Sequence, residues 1–185
     1  LNRPGVALFN AAFRLARSRA RMPRLVPYRG FFFPLDGIGD WNRLYGPSGL
    51  FQHQSVVPVE AARRVIPDLL ATTRAAGQAS FLTVLKRFGA GASPAILSFP
   101  RPGYTLTLDF PNRGDATRRL LDRLDAITME AGGAVNPYKD ARMPAAVFAR
   151  SFPRWAELEA GRDPAFLSYF WRRTALALPM AAAAE

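Results

Sequence analysis

The sequence predicts an α+β fold of the ferredoxin-like, split βαβ type, in which an antiparallel sheet carries both helices on one face. Two observations predict this fold. Four short segments have the apolar pattern of strands, and two longer segments place apolar residues at helical spacing. These segments follow one another in the order β-α-β-β-α-β, which is the chain order of the split βαβ arrangement.

Four segments have the composition of strands. The first, 50–57, places Gln52 and Gln54 on one face and stops at Pro58. The second covers 80–88, the third covers 104–110, and the short fourth strand covers 134–138. We expect the last three strands to bring their polar residues to one pocket, next to the segment 136–142. A short extended piece is also predicted over 96–99.

The helices follow from apolar spacing and from their end signals. A helix over 60–76 would bury Val65, Leu69 and Thr73 and end at Gly77. Pro67 is expected to kink this helix or to divide it in two. The clearest helix covers 115–131 and has one buried stripe. The remainder is predicted to be mostly helical, over 143–150, 153–160 and 164–178, before a frayed tail at 179–185.

Residues 1–35 form a basic arm and linker. They contain seven arginines and no acidic residue, which leaves +4 of the net charge of +11 for the chain from Asp36 onward. A short amphipathic helix is predicted in the arm, with Val6, Phe9, Phe13 and Ala16 on one face and Arg14, Arg17 and Arg21 on another. Three roles remain open for it: packing on the core, lying on an anionic membrane surface, or binding nucleic acid. Two prolines and a glycine predict a loop over 22–30.

Length and composition bound the function. A chain of 185 residues can bury one sizeable core. The absence of cysteine excludes a disulfide framework and thiolate metal sites, and a single histidine, His53, excludes a His-rich metal site. The sequence contains no segment typical of a membrane span or a signal peptide. Because the chain begins at Leu1 rather than Met, we expect it to come from a larger protein.

The residue patterns exclude several kinds of site before they favour one. Gly89 and Gly91 lack the full glycine spacing of a phosphate loop, so a plain hairpin loop is the simpler interpretation. No serine, histidine and acid suggest a catalytic triad. Lys86 and Lys139 would be costly on an inward sheet face unless each met an anion or a dipole. Taken alone, each is an ordinary surface lysine.

A series of short motifs runs through the chain in a fixed order and spacing. They are Phe33-Pro-Leu-Asp36, Trp41-Asn-Arg43, Tyr45-Gly-Pro47, Gln52-x-Gln54, Pro58-x-Glu60-Ala61, Ser80-Phe-Leu-x-Val-x-Lys86-x-Phe88-Gly89, Leu97-Ser-Phe-Pro100, Pro102-Gly103, Asp109-Phe-Pro111, Gly132-Gly133, Lys139-Asp140-x-Arg142 and Tyr169. Through these motifs the chain, from Leu1 to about Thr174, resembles the C-terminal part of the decaprenylphosphoryl-β-D-ribose 2′-oxidase family. That family belongs to the vanillyl-alcohol-oxidase-like class of FAD-dependent oxidoreductases.

The resemblance implies a two-domain flavoenzyme. An N-terminal FAD-binding domain, not present in this chain, would hold most of the FAD. Residues 36–178 would be the substrate domain, whose sheet covers the isoalloxazine ring, and this chain alone would be inactive. The resemblance makes Lys139 the catalytic residue against flavin and substrate, with Asn136 and Tyr138 beside it as cofactor-binding residues. It assigns the substrate pocket to Tyr45, Gln52, Gln54, Lys86, Phe88, Thr105 and Thr107, and it implies no metal.

The implied reaction is oxidation of the 2′-hydroxyl of a polyprenyl-phosphoryl ribose to a ketone, with hydride transfer to FAD. A partner reductase then completes epimerisation to the arabinose form. A fixed ammonium at Lys139 would stabilise the negative charge that develops on the flavin, and Lys86 would do the same for a substrate phosphate or hydroxyl. Gln52 and Gln54 can each donate and accept, which suits sugar hydroxyls. We expect a bacterial protein, cytoplasmic or periplasmic, whose basic arm contacts the inner membrane.

The chain departs from the family pattern at three of these positions. Thr105 and Thr107 stand where the family has an asparagine and a cysteine, and Asn136 stands where it has a tyrosine that contacts the flavin. Since hydride transfer does not need the cysteine, the departures are compatible with the same chemistry. They widen the expected substrate to another sugar or polyol, as in aldonolactone and alditol oxidases.

Two functions of other classes remain open. One is a basic ferredoxin-like RNA-binding module, and the other is a non-catalytic partner-binding domain. The strand 104–110 lacks the basic and glycine-aromatic pattern of an RNA-recognition strand, and the charge lies in the arm rather than on the sheet. Nucleic acid is therefore not the partner we expect.

Overall fold

A computed structural model describes residues 3–18, 25–37, 39–40, 43, 45–78, 80, 82–91, 93–139 and 142–179. These residues contain seven α-helices: α1 (Arg3–Ser18), α2 (Tyr28–Phe32), α3 (Val59–Ala75), α4 (Asp115–Glu130), α5 (Ala145–Ser151), α6 (Trp155–Ala160) and α7 (Tyr169–Arg173). Part of the predicted tail, 180–185, lies outside the described residues. The same holds for Trp41, Asn42, Phe81 and Asp140 of the motifs, and for Arg21 of the arm.

Four strands form one antiparallel sheet: β1 (Leu50–Val57), β2 (Thr83–Phe88), β3 (Gly103–Pro111) and β4 (Ala134–Val135). They lie in the order β2-β3-β1-β4, so β2 and β4 are the edges. Helix α3 connects β1 to β2, and helix α4 connects β3 to β4. This is the predicted split βαβ arrangement, and the predicted fold class is confirmed.

The second and fourth strands are shorter than predicted. β2 begins at Thr83 rather than at residue 80, and β4 ends at Val135 rather than at residue 138. A 3₁₀ turn, Pro137–Lys139, follows β4. Pro137 has no N–H for the ladder, and Oδ1 of Asn136 accepts from the N–H of Tyr138 at 3.0 Å. This side-chain turn ends the strand.

The extended piece predicted over 96–99 is wrong. The chain turns there instead, because the N–H of Ser98 donates to the carbonyl of Ala95 at 3.3 Å. The loop predicted over 22–30 is also wrong at its end, where α2 begins at Tyr28. That short helix closes when the N–H of Phe33 donates to the carbonyl of Arg29 at 2.8 Å.

Helices α3 and α4 pack on the same side of the sheet. Val65 and Leu69 of α3 and Leu120 of α4 are fully buried and form one cluster with Leu106 of β3. Val65, Leu69 and Thr73 of α3 are buried, as the spacing predicts. The predicted division of this helix is wrong, since α3 continues through Pro67. Val65 and Leu69, one on each side of Pro67, are fully buried and hold the flanking turns on the core. This packing outweighs the local tendency of proline to interrupt a helix.

The C-terminal helices form a second apolar cluster around the β4 edge. It includes Val56 of β1, Phe148 of α5, Phe152 directly after α5 and Trp171 of α7. The predicted helix over 164–178 is wrong in extent, because α7 covers only Tyr169–Arg173 and a separate 3₁₀ turn covers Ala175–Ala177. The start of α7 is set by Ser168, whose Oγ accepts from the N–H of Trp171 at 3.1 Å.

The predicted helix of the arm exists but leaves its apolar residues in solvent. In α1, Leu8, Phe9, Phe13 and Leu15 are all more than half exposed, and Val6 is half-buried. Phe31, Phe32 and Phe33, at and after the end of α2, are also more than half exposed. The arm therefore presents a row of large apolar side chains among its arginines. None of the described helices is both long and apolar enough to cross a bilayer.

Two glycines, Gly103 and Gly133, are required because their backbones approach the end of β1 closely. A Cβ on Gly103 would lie 2.3 Å from the carbonyl oxygen of Val57, and a Cβ on Gly133 would lie 2.4 Å from that of Val56. Both distances are below any normal carbon–oxygen contact. Strand packing at β1 thus explains Gly133 and Gly103, whereas Gly132 is required by its φ of 70°.

Candidate active site

The sheet face opposite α3 and α4 gathers most of the predicted site residues. Side chains alternate between the two faces along a strand, and the register places Gln52 opposite Asp109 and Lys86 opposite Thr105. His53, between the two glutamines, points to the helix side, where it contacts Asp125 of α4. We call the opposite side the open face, and its polar residues are Gln52, Gln54, Lys86, Thr105, Thr107 and Asp109. The polar residues of β2 and β3 share this face as expected, and the pocket expected there stays a prediction.

A hydrogen-bond chain on the open face joins the residue after β4 to β1 and β3. Nδ2 of Asn136 donates to Oε1 of Gln54 at 2.7 Å, and Nε2 of Gln54 donates to Oγ1 of Thr105 at 3.1 Å. The N–H of Asn136 also donates to the carbonyl of Gln54 at 2.8 Å. Thr105 and Asn136 are both buried. Since both ends of the Gln54 amide are bonded, its orientation is fixed by the sheet.

Asp109 of β3 is the buried charge of the open face. Nε2 of Gln52 donates to its Oδ1 at 2.6 Å, and the hydroxyl of Tyr45 donates to its Oδ2 at 3.2 Å. Burial raises the pKa of Asp109, and the hydrogen bonds from Gln52 and Tyr45 and the positive charge of Lys139 offset part of that rise. Burial, and then the Asp109 carboxylate, raise the pKa of Tyr45. Tyr45, Gln52, Asp109 and Lys139 therefore form one electrostatic unit.

Asp109 was missing from the predicted site residues, although its motif was recognised. The signal that identifies it is periodicity: it continues the alternate positions of Thr105 and Thr107 on the same strand. An acid within a largely buried strand must either be paired or have a function.

Lys86 and Lys139 are the only two lysines among the 25 basic residues of the chain. Lys86 projects from β2 on the open face, and Lys139 ends the 3₁₀ turn after β4, near enough to Asp109 to lower its pKa. Both lysines are exposed, so the burial penalty expected for them does not arise. All other basic side chains of the chain, apart from one histidine, are arginines, and this contrast is a sequence signal for the site that the motif reasoning did not use.

Three predicted residues have weaker claims to the site. Phe88 lies on the open face but is half-buried against Phe99, with the ring centroids 6.1 Å apart and the rings edge-on. Tyr138 is 77% exposed, and its backbone rather than its ring bonds to Asn136. Thr107 is half-buried beside Gln54. These positions can contact a ligand, but Phe88 also has a packing role.

The donors and acceptors of the open face suit a flavin and a hydroxylated substrate. The described residues contain no group of three or more histidine, cysteine or acidic side chains placed to hold a metal ion. The exposed ammonium of Lys139 suits the electron-rich edge of a flavin ring, which gains negative charge on reduction. The amides of Gln52 and Gln54 suit hydroxyl groups, because each amide both donates and accepts.

Comparison with known proteins relates the chain to an oxidase, within the oxidoreductase class that the motifs imply. It is similar to decaprenylphosphoryl-beta-D-ribose oxidase of Mycolicibacterium smegmatis (strain ATCC 700084 / mc(2)155), with 38% identity over 137 residues. The match covers 72% of this chain and 29% of the relative. This identity supports the resemblance drawn from the motifs.

A second relative is an uncharacterized protein in the mprA 5′ region of Streptomyces coelicolor, 40% identical over 98 residues. That match covers 50% of this chain and 26% of the relative. The chain thus spans less than a third of the length of either relative. No family model matches it.

Proposed function

We propose that this chain is the C-terminal substrate domain of an FAD-dependent oxidoreductase that oxidises a sugar or polyol hydroxyl to a ketone. The observation that carries the proposal is the open face, which holds Lys86, two glutamine amides and a buried carboxylate that lies within the electrostatic reach of Lys139. The 38% identity to an oxidase supports the same class. The proposal includes a separate N-terminal domain that holds most of the FAD.

Lys139 is the proposed catalytic residue. When bound, FAD supplies the hydride acceptor. Lys139 presents its ammonium to the ring edge and stabilises the negative charge that develops there. The short 3₁₀ turn and the bonds of Asn136 to Gln54 hold the backbone that carries this ammonium. Asn136, directly before this turn, and Tyr138, within it, would hold the cofactor beside Lys139.

The substrate lies on the open face in this proposal. Nε2 of Gln52 is engaged by Asp109, which leaves Oε1 of Gln52 to accept from a sugar hydroxyl. Gln54 lines the floor below the sugar, and the buried Thr105 holds the Gln54 amide in place from beneath. Tyr45 fixes Asp109 from the other side, and Thr107 and Phe88 complete the wall. Lys86 is exposed on β2, where its ammonium meets a substrate phosphate.

The proposed substrate is a polyprenyl-phosphoryl ribose, oxidised at its 2′-hydroxyl. Phe31, Phe32 and Phe33 are large exposed apolar side chains that suit the first isoprene units of such a lipid. A partner reductase would act on the ketone and complete epimerisation to the arabinose form. Threonines at 105 and 107 leave another sugar or polyol as the second substrate class.

The first test is the visible absorbance spectrum of the flavin-loaded enzyme that contains this domain, recorded without oxygen. Addition of polyprenyl-phosphoryl ribose should bleach the oxidised flavin band. A band that stays oxidised with this lipid but bleaches with a free sugar or polyol would keep the oxidase class and exclude the lipid. A protein that binds no flavin would refute the proposal.

Paired variants on β2 test the role of the open face. Lys86→Met removes the cation that faces the substrate, and Arg87→Met removes the next cation along the strand, which lies over Tyr104 on the helix side. We expect Lys86→Met to raise KM at least tenfold and Arg87→Met to leave it within twofold. Equal effects would mean that charge on β2 acts without regard to the face.

Lys139→Ala separates an enzyme from a binding module. An oxidase should lose at least a hundredfold in the rate of flavin reduction, because the removed charge stabilises the transition state. An RNA-binding or partner-binding domain would keep its binding. The buried acid Asp109 on the open face weighs against RNA, since a carboxylate repels phosphate and the aromatic Phe88 is already engaged by Phe99.

We also propose that the arm holds the enzyme at the inner membrane of a bacterium, where a polyprenyl lipid resides. The exposed Leu8, Phe9, Phe13 and Leu15 of α1, together with an arm of seven arginines and no acid, favour an anionic bilayer surface. Deletion of residues 1–24 should abolish co-sedimentation with vesicles that contain phosphatidylglycerol. Undiminished co-sedimentation of the shortened protein would refute this contact.

A further inference from the structure

A buried charge network lies on the helix side of the sheet, outside the site described above. His53 of β1 is 3% exposed, and its Nε2 lies 3.0 Å from Oδ1 of Asp125 in α4. Nη1 of Arg142 donates to Oδ2 of Asp125 at 2.9 Å and to Oδ1 of Asp122 at 3.0 Å. We call His53, Asp125 and Arg142 the anchor. It ties the middle of β1, the buried side of α4 and the chain after Lys139 to one another.

The anchor holds one end of the segment that carries Lys139. Asn136 holds the other end through its backbone and side-chain bonds to Gln54. Lys139 is three residues from Asn136 and three residues from Arg142. His53 and Gln54 are adjacent on β1 and face opposite sides of the sheet, so one short piece of strand fixes both ends of the segment. A long flexible side chain can act on a bound ring only if its backbone is fixed in this way.

We propose that His53, Asp125 and Arg142 are positioning residues, which act through Arg142 to set where the Lys139 ammonium stands over the open face. The proposal rests on the proposed function for its catalytic consequence, but the position of Lys139 can be measured without it. A buried ion pair is weak evidence for stability, because apolar residues of the same volume often stabilise a fold as well. Arg142 lies three residues after Lys139, and this closeness in the chain is what gives the network a positioning role.

The first test uses the scarcity of lysine in this chain, which contains only Lys86 and Lys139. Reductive methylation with ¹³C-formaldehyde keeps the charge of lysine and labels these two side chains together with every other amine of the polypeptide that contains this chain. Lys86→Arg and Lys139→Arg assign the two lysine signals. We expect Arg142→Met to move the Lys139 signal toward that of a free dimethyl-lysine and to sharpen it, while the Lys86 signal stays in place. Asp125→Asn, which keeps the shape of the side chain, should move the same signal by a smaller amount.

The Lys86 signal shows whether a substitution has disturbed the structure as a whole. If both lysine signals move together, the substitutions disturb the whole sheet and the positioning role is refuted. If neither signal moves in the Arg142→Met protein, Lys139 does not depend on the anchor, and the proposal fails. Arg123→Met is the matched control, because Arg123 is an exposed arginine of α4 that the anchor does not use.

The second test uses the flavin-loaded enzyme and a double substitution. Arg142→Met should lower kcat at least tenfold and leave KM within threefold, because the substrate contacts on β1 and β3 are intact. In a Lys139→Ala background, the same substitution should lower kcat by less than twofold. A full tenfold loss in that background would mean that Arg142 acts independently of Lys139. If the wild-type enzyme reduces no flavin, the proposed function fails, while the labelled lysine signals still decide the anchor.

Discussion

Gln54 is the residue whose removal should most clearly expose how the open face is held together. Gln54→Met keeps the length and nearly the volume of the side chain and removes two hydrogen bonds, to Thr105 at 3.1 Å and from Asn136 at 2.7 Å. Thr105 is 1% exposed and Asn136 is 8% exposed, so neither group can turn fully to water. Each lost bond between buried partners costs about 1–2 kcal/mol, and the free energy of unfolding should fall by about 2–4 kcal/mol.

Urea unfolding, followed by tryptophan fluorescence, measures this loss. With an m value of about 3 kcal/mol/M for a domain of this size, the midpoint should fall by about 1 M while m stays constant. Lys86→Met is the matched control, since it places the same side chain on the same face at an exposed position. It should change the free energy of unfolding by less than about 0.5 kcal/mol.

A double-mutant cycle tests whether the Asn136–Gln54 bond is the cause. Asn136→Ala combined with Gln54→Met should destabilise the protein by about 1 kcal/mol less than the sum of the two single changes. Strict additivity, or a midpoint for Gln54→Met within 0.2 M of the wild type, would refute the idea that this chain of bonds joins the residue after β4 to β1 and β3 as a unit.

Three further predictions concern stability. Gly133→Ala should lower the free energy of unfolding by about 1–3 kcal/mol, because the new Cβ would lie 2.4 Å from the carbonyl of Val56, whereas Gly91→Ala meets no atom within 4 Å and should be neutral in the same thermal melt. Asp109→Asn should be at least as stable as the wild type at pH 7. Because the pKa of Asp109 is raised in the folded protein, the wild type loses stability as the pH rises from 3.8 through that raised value. Urea titrations at several pH values should show no such loss in the variant. Asp125→Asn should lower the free energy of unfolding by about 3 kcal/mol at pH 7, because hydrogen bonds and charges lower the pKa of Asp125 despite its burial. The difference in stability between wild type and variant should shrink as the pH falls below 3.8. A difference that stays constant down to about pH 2 would contradict the lowered pKa.

The fold could be predicted from local sequence patterns because its core strands and helices follow the two-residue and 3.6-residue periods. The alternation of Leu50–Val57 gave the bounds of β1, and the spacing of Val65, Leu69 and Thr73 gave the buried side of α3. The failures have two kinds of cause, one long-range and one local. The continuity of α3 through Pro67 depends on burial against the sheet, and the early end of β4 depends on the bonds of Asn136.

The placement of Gln52, Gln54 and Lys86 on one face was predictable from the sequence, whereas the arrangement of the residues around them was not. Motif matching named Gln52, Gln54 and Lys86, and the two-residue period of strands places them on one face. The sequence did not indicate that Asp109 would be buried among them, since the neighbours that bury it come from distant segments. The pairing of His53 with Asp125 was equally hidden, because 72 residues separate the two side chains in the chain.

The position of β2 at the edge of the sheet has a consequence for solubility. An edge strand offers unpaired backbone groups to any other strand, and natural proteins protect such edges with charged side chains, lysine above all. Lys86 and Arg87 stand side by side in the middle of β2, one on each face, and both are exposed. The same lysine that would receive a substrate's phosphate therefore also keeps two copies of the sheet apart, and any change in substrate preference made at this position also acts on aggregation.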